Sequence, residues 1–578
     1  MRSTARLIAL IPLLAMIAAC GGGTDNRPQT AGQGGKKYGG EFTMNIVRGN
    51  PKGLDPVLIN SKHADDIASQ VFDRLIDVND KLELVPELAL ALPDIDATGT
   101  LYTFHLRTDV SFQNDSCFPG AKGRRFVAED VRYSLTRCCD PRTTSVAYWA
   151  FQDKVKGATR YHDQVLAMGT AAQEPAPIEG FTVLNDSTFQ IELEKPYAPF
   201  LFYLINSLGN IVPHEAVEKY GRDFFRHPVG TGPFTFVSWT PDQDLILSRN
   251  PVYWGRDEKG NRLPFLDRLR FTFVKDDKIQ FNEFLAGNLN ECYGIPTESF
   301  ARVFDANRKP QGEFAKYQVQ AVPAMLTWYL DFNNRKPPFD NADLRRAFNY
   351  AIDREKLVKF VLQNSPYAPA VHGLVPPVFP GYPVDSVKGY SYNPDEAKRL
   401  LAKAGYPEGK GLPPVTLYIY PEPRLNQVAQ AVQEMVRTAL NVDMKIQIVD
   451  FPQLIDQAEG GKLAFWGTRW YGDYPDPETY LLLLFGELVP KQEGLPSYPN
   501  SSRYNNPAFN EEFTKGVATI DHVAQMKHYV AAEQIAMADA PLIPLFYEMH
   551  YRLLQSDVRD YPLNGMARPD MKYVWLDR

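Results

Sequence analysis

Over residues 415–470 the chain alternates short apolar runs with amphipathic segments of helical length. The spacing predicts a strand over 415–420, a helix over 425–440, a strand over 444–449, a helix over 452–458 and a strand over 463–470. Such alternation constrains the fold strongly: consecutive strands with helical crossovers make a largely parallel sheet, an α/β architecture. Ligands in these sheets bind beyond the carboxyl ends of the strands. The last strand runs out into Trp470-Tyr471-Gly472-Asp473-Tyr474-Pro475-Asp476-Pro477. Its two prolines prevent regular continuation and leave Asp473 among aromatics just past a strand end. A carboxylate with aromatic walls is what a pocket for a small organic cation needs.

A chain of 578 residues is too long for one core, and roughly three domains of ordinary size are expected. With 44% hydrophobic and 23% charged residues, the composition is that of a soluble globular protein. The 30 Tyr, 34 Phe and 46 Pro predict many turns and much aromatic surface, as in a protein that grips ligands. Lys and Arg are dispersed rather than clustered, which argues against nucleic acid as a partner. The chain is read as a monomer.

Arg2 and Arg6 precede thirteen uncharged residues, 7–19, followed by Cys20 and three glycines. Thirteen residues are too few to span about 30 Å of hydrocarbon as a helix but suit the core of a signal peptide. Ile17-Ala18-Ala19-Cys20 resembles the bacterial lipobox, whose cysteine takes a lipid and becomes the new N-terminus; a plain secretory leader is the alternative. Residues 1–19 are therefore read as a signal peptide, Cys20 as the lipidation site and 20–37 as a flexible tether. The run from Gly21 to Gly40 has no apolar periodicity. Losing Arg2 and Arg6 would take the formal charge from −7 to −9. The expected location is outside the cytoplasm, held to the membrane by the N-terminal lipid and facing the periplasm or the extracellular side.

Export places Cys117, Cys138, Cys139 and Cys292 in an oxidising compartment. A disulfide from Cys117 to Cys138 or Cys139 would close a loop of about 22 residues and add roughly 3 kcal/mol on the chain-entropy estimate. Buried free thiols are the alternative. Zinc fits less well, because no second close pair of Cys or His accompanies the Cys138-Cys139 doublet.

The N-terminal half reads as strands and hairpins. Alternation predicts strands over 41–47, 101–106 and 110–112 and helices over 65–75 and 128–138. Hairpins are expected over 181–193 about Asn185-Asp186-Ser187, and over 234–248 about Thr240-Pro241-Asp242. After Ala324 the rhythm becomes helical. Asp340 or Asn341 can cap a helix carrying Leu344, Ala347, Phe348, Ala351 and Ile352 on one face. Asn393-Pro394 starts another, with Asp395 and Glu396 in its first turn and Gly405 as its stop.

Catalytic signatures are missing: the sequence has no Gly-x-Ser-x-Gly elbow and no phosphate-binding Gly-rich loop before Lys-Ser or Lys-Thr. His214-Glu215 fails as a zinc helix because Glu218 occupies the position of the second histidine. His522 and His528 read as a solvated face, and the acid pairs Asp65-Asp66 and Asp242/Asp244 as surface charge. No enzyme activity, metal or cofactor is expected.

An ordered series of segments then carries a likeness. It comprises Leu101-Tyr102-Thr103-Phe104-His105-Leu106-Arg107, Ala128-Glu129-Asp130-Val131, Gly230-Thr231-Gly232-Pro233-Phe234 and Arg249-Asn250-Pro251-Val252-Tyr253-Trp254. Leu263-Pro264-Phe265-Leu266-Asp267, Phe332-Asn333, Ala351-Ile352-Asp353-Arg354, Ala404-Gly405-Tyr406-Pro407, Tyr504-Asn505-Asn506-Pro507 and Ala540-Pro541-Leu542-Ile543-Pro544-Leu545 continue it. Over nearly the whole chain past the leader, this series resembles the large extracytoplasmic solute-binding proteins of ABC importers, the oligopeptide- and dipeptide-binding family.

The resemblance implies a two-lobed periplasmic-binding-protein fold with mixed sheets and an extra inserted α+β domain. Lobe I would combine 38–80, 213–322 and 541–578, the inserted domain 81–212, and lobe II 323–540. The chain would cross between lobes near 322–329 and 541–547. The implied function is capture of short peptides for a cognate ABC permease. The family also includes binders of nickel complexes, haem and oligosaccharides, so a non-peptide solute is the alternative, and an anchored hydrolase a more distant one. In oligopeptide binders the Trp-x-x-Asp motif supplies the aspartate that holds the peptide's α-ammonium, with the tryptophan beside a side-chain pocket. The matching residues are Asp473 and Trp470, and Tyr471 is included as a third candidate ligand-binding residue. Asp476 and Glu478 read as helix-starting acids. The segment from Asp115 to Phe126 departs from the family's pattern by a longer, basic insertion.

Overall fold

The structure, a computed structural model, describes residues 30–46, 49–169, 175–305, 307–492 and 494–578. The leader over 1–19 and Cys20 lie outside the described residues. From Thr30 onward the Gly-rich run is not a free leash. Thr30–Ala31 pairs antiparallel with Lys37–Tyr38, and the Asn261 side chain both accepts from the Gln33 amide at 2.7 Å and donates to its carbonyl at 3.1 Å. Lys37 Nζ meets Asp577 at 2.9 Å. Glycine-rich sequence shows no side-chain pattern, yet its backbone groups can be satisfied by a distant loop.

Near the N-terminus a four-stranded sheet runs in the order Phe234–Thr240, Asp244–Arg249, Arg268–Thr272, Glu41–Asn45, with the last pair parallel. Alternation puts Phe42, Met44, Leu245, Leu247, Leu269 and Phe271 into the core and charged neighbours outward. A second sheet, antiparallel throughout, orders Asp94–Ile95, Leu101–His105, Thr188–Glu192 and Phe181–Asn185. Against it lies the helix Ala128–Cys139, burying Val131 and Leu135. Both expected hairpins are present, whereas the expected strand over 110–112 contributes only a single bridge from Ser111 to Arg125.

The helix expected over 65–75 is Lys62–Ala68, capped by Ser61, whose hydroxyl accepts from the Ala64 amide. It stops early because the following residues pair with another segment. Gly232 donates to the Val71 carbonyl and Phe234 to the Gln70 carbonyl, each at 2.9 Å. A Cβ on Gly230 would fall 2.3 Å from the Val71 oxygen, so that approach requires glycine. The apolar periodicity of Val71, Phe72 and Leu75 therefore serves extended chain packed into the core.

The largest sheet is mixed. Its order is Glu291–Tyr293, Leu542–Leu554, Gln318–Phe332, Phe465–Tyr471, Val415–Ile419, Met444–Ile448, with Ala368–Pro369 also on Leu542–Leu554. The three expected strands are parallel neighbours, with Val415–Ile419 in the middle. Phe465–Tyr471 then pairs antiparallel with Gln318–Phe332, which local periodicity cannot reveal. The helix Pro423–Leu440 covers this half with Leu425, Val428, Ala429, Val432 and Val436. Asn341 and Asn393 cap their helices as expected, accepting from Asp343 and Glu396 amides at 2.9 and 3.1 Å.

Gln318–Phe332 and Leu542–Leu554, 15 and 13 residues long, tie the cores together. Met325 and Tyr329 belong to the core of the N-terminal sheets. Leu330, Phe332 and Ile543 belong to the core under the parallel strands. Tyr551 and Leu553 belong to a third core with Phe281 and Phe284. Register between the two strands shifts between Pro323 and Thr327 and again between Trp328 and Tyr329; bulges of this kind bend and twist a ladder.

Cys117, Cys138, Cys139 and Cys292 are free thiols, so the expected Cys117 bridge to Cys138 or Cys139 is not formed. Cys138 points into the core beneath its helix, where its Sγ donates to the Ser134 and Leu208 carbonyls at 3.7 and 3.5 Å. Cys117 sits on the basic insertion beside Asp115, whose carboxylate accepts from the Cys117 amide at 2.7 Å. Among the described residues no helix is long and apolar enough to cross a membrane.

Candidate functional site

The strand Phe465–Tyr471 ends where Gly472 donates its amide to the Met325 carbonyl at 2.9 Å. The chain then turns through Tyr474-Pro475-Asp476-Pro477 into the short helix Glu478–Leu481. Asp476 Oδ1 accepts from the Glu478 amide at 2.8 Å, so Asp476 is the helix-starting acid expected. These constraints leave Asp473 at the apex of the turn. Its own amide donates to Thr479 Oγ1 at 3.4 Å.

The Asp473 carboxylate has no hydrogen bond or ion pair from any described residue. It is open to solvent, yet protein packs closely around it. That burial first, and the negative charge of Glu478 second, push its carboxyl up to about 6. Tyr480 and Tyr498 are near enough to feel the charge of Asp473; burial is the larger cause of the raised hydroxyls of both. An unpaired, partly desolvated carboxylate among aromatic rings has the chemistry to pair with a cation.

Trp470 is half-buried, and its Nε1 donates to the same Thr479 Oγ1 at 3.3 Å, which fixes the indole beside the Asp473 turn. Tyr471 departs from expectation. Strand alternation sends it to the opposite face, where its hydroxyl donates to the Met566 carbonyl at 2.8 Å and lies 3.3 Å from His550 Nε2. Its hydroxyl braces the strand against the C-terminal tail and does not stand beside Asp473.

Sequence reasoning missed three neighbours and read a fourth, Glu478, only as a helix-starting acid. Thr479, Tyr480 and Tyr498 surround Asp473, and Glu478 is fully buried. Glu478 accepts from Tyr474 and, at 2.8 Å, from Tyr197, whose hydroxyl also contacts that of Tyr203 at 2.7 Å. Burial is the largest cause raising the Glu478 carboxyl. Asp476, crowded in the same way, is pushed up to about 7. Nothing local in the sequence marks these residues, because their burial comes from segments far away in the chain.

A cavity of about 660 Å³ lies elsewhere, between Lys36, Arg256, Gln318, Gln320, Tyr561 and Tyr573, and Asp473 does not line it. His214 pairs with Glu215 at 3.4 Å and His528 with Glu512 at 2.8 Å. Among the described residues no group of three or more His, Cys, Asp or Glu is placed to hold a metal.

The profile described as "Bacterial extracellular solute-binding proteins, family 5 Middle" matches residues 83–489, more than half of the chain. The chain is similar to the dipeptide-binding protein of Escherichia coli, with 26% identity over 540 residues that cover 92% of this chain and 93% of that protein. It is similar to heme-binding protein A of Haemophilus influenzae, with 28% identity over 558 residues and 94% of each chain covered. Among solved structures, the unliganded open form of MppA, a periplasmic murein tripeptide binding protein, aligns with a TM-score of 0.74 at 25% identity, over 93% of this chain and 97% of that one. DppA from Helicobacter pylori in complex with peptide STSA aligns with a TM-score of 0.71 at 23% identity, over 94% and 99%. The fold is that of the periplasmic binding proteins, α/β with mixed sheets, as the sequence implied.

Proposed function

The chain belongs to the bacterial extracellular solute-binding proteins of family 5, and on that premise we propose that it captures short peptides by their α-ammonium group at Asp473 and delivers them to a cognate ABC permease. It is a binding protein and not an enzyme. The observation that carries the peptide reading is the Asp473 carboxylate, unpaired and raised, at the end of Phe465–Tyr471. An ammonium there would gain a full ion pair at a site that no side chain of the described residues fills. Peptide binding by the similar dipeptide-binding protein supports the same class of ligand. Backbone hydrogen bonds to an extended peptide would add affinity that tolerates varied sequences.

The division into lobe I (38–80, 213–322, 541–578), an inserted domain (81–212) and lobe II (323–540) belongs to this reading. It is supported by the two long strands with their register shifts. Anchoring through a lipid on Cys20 is likewise part of it, supported by the Ala18-Ala19-Cys20 sequence.

A second reading, a non-peptide solute, draws on the likeness to heme-binding protein A. An unpaired carboxylate favours a cationic end over the anionic propionates of a haem. Mass spectrometry of material released from denatured, freshly purified protein separates the two: peptide masses are expected, and a haem or sugar mass overturns the peptide reading. Asp473→Ala should lose the peptides while keeping the melting temperature of the parent. Removing one partner of an enclosed ion pair typically costs about a hundredfold or more in affinity.

A further inference from the structure

We infer that Glu478 couples capture at Asp473 to the position of the segment carrying Tyr197 and Tyr203, which makes Glu478 a positioning residue for the ligand site. The inference rests on the reading of Asp473 given above.

The geometry is specific. One fully buried carboxylate accepts from Tyr474, on the turn that bears Asp473, and from Tyr197, a residue 281 positions away in the chain. Tyr203 extends the link: its hydroxyl meets that of Tyr197, and its ring packs edge-on against Tyr474 at 5.1 Å. The adjoining Ala198 amide donates to the Val517 carbonyl, in the helix Pro507–Ala518, at 2.7 Å, which holds the start of this stretch. Lys154 lies 5.7 Å from the rings of Tyr197 and Tyr203, while its Nζ donates to the Trp149 carbonyl at 3.1 Å.

The titratable groups around Glu478 are therefore Asp473, Tyr474 and Asp476 from its own turn, Tyr197 and Tyr203 from one side, Lys154 beyond them, and Tyr529 from the helix His522–Asp539. Only Lys154 carries positive charge. The charge of Glu478 raises the Asp473 carboxyl, while Glu478 itself is raised by burial and lowered in turn by the bonds from Tyr474 and Tyr197 and by the charge of Lys154. A ligand ammonium at Asp473 brings a positive charge to the turn that Glu478 braces, which favours the ionised form of Glu478. An ionised acceptor holds the Tyr474 and Tyr197 hydroxyls about twice as strongly as a neutral one. By linkage, whatever strengthens this junction when the ligand binds also strengthens the ligand.

The test titrates a mixture of unmodified tripeptides, with the N-acetylated mixture as control, into the parent protein, Asp473→Asn, Glu478→Gln and Tyr197→Phe. Native mass spectrometry follows binding from about pH 5 to about pH 8. Glu478→Gln is expected to bind about tenfold more weakly near neutrality. Its acid-side loss of binding should move to lower pH, because the negative neighbour of Asp473 is gone. Tyr197→Phe should weaken binding while leaving that acid-side loss in place, since the charge remains. If Asp473→Asn abolishes binding but Glu478→Gln and Tyr197→Phe both behave as the parent, the coupling is refuted and the reading of Asp473 survives. If Asp473→Asn or N-acetylation has no effect, the functional reading itself fails and this inference falls with it. Should thermal melting show Glu478→Gln unfolded, Tyr197→Phe decides alone: affinity equal to the parent overturns the proposal.

Discussion

The Gly472 amide donates to the Met325 carbonyl at 2.9 Å, so the turn bearing Asp473 hangs on the long strand Gln318–Phe332 within the stretch where its register against Leu542–Leu554 shifts. The site is thereby attached to the first of the two irregular stretches of the central strand pair. A bend in that stretch would carry the carboxylate with it.

Gly472 is needed for that attachment. A Cβ there would come within 2.8 Å of Met325 Cε and 3.2 Å of Thr479 Cγ2 and Tyr480 Cε2. Gly472→Ala should cost about 1–2 kcal/mol of stability by overpacking, read as an earlier urea midpoint, and should weaken peptide binding as the turn shifts. An unchanged midpoint together with unchanged affinity would show that the turn has room to spare.

Asp473 should make binding depend on pH. Its carboxyl rises from an ordinary 3.8 to about 6, chiefly through burial and secondly through Glu478. The folded protein without ligand therefore holds this proton more tightly than the unfolded chain does. Within that window the folded state binds more protons, so this group's contribution to stability declines as pH rises and is recovered on acidification. Ligand affinity runs the opposite way. An ammonium needs the ionised carboxylate, and binding should weaken as pH falls through about 6. Calorimetric titration across that range checks it; a flat profile would remove Asp473 from the contact.

Trp470 and Tyr471 are adjacent in sequence but should separate in experiment. Trp470→Ala removes the indole beside the Asp473 turn and is expected to weaken a cationic ligand by about tenfold. Tyr471→Phe loses the bond to Met566; it should cost about 1 kcal/mol of stability and leave affinity alone. Loss of affinity in Tyr471→Phe would return that residue to the site.

The four free cysteines give a direct chemical readout. Burial pushes the Cys138 and Cys292 thiols up to about 12 and raises Cys139 as well, so all three should resist alkylation in the native protein. After denaturation without reductant, Cys117, Cys138, Cys139 and Cys292 should all be alkylated. A mass showing two of them protected would mean that a disulfide forms after all.

Local sequence was sufficient for a good part of this. The caps at Asn341 and Asn393, the two hairpins and the parallel trio of strands follow from near-neighbour chemistry, namely a side-chain acceptor at a helix start, a turn between alternating runs, and apolar spacing. The motif Trp470-Tyr471-Gly472-Asp473 stands at a strand end for the same reason, since its prolines act on the residues beside them.

What lay outside local reach depended on distant partners. Periodicity could not show that Phe465–Tyr471 pairs antiparallel with Gln318–Phe332, because register between strands is a property of both. Nor could it show that Val71 and Phe72 leave the helical path to meet Gly230 and Gly232, or that Thr30–Ala31 and Lys37–Tyr38 dock against Asn261. The sequence by itself singled out Asp473 as the residue proposed to carry the charge for a ligand. Only the tertiary structure decided that Tyr471 faces away, that no cation of the described chain neutralises Asp473, and that Glu478 is buried against Tyr197. Burial and charge pairing are set by which segments meet, and segments hundreds of residues apart leave no local trace of their meeting.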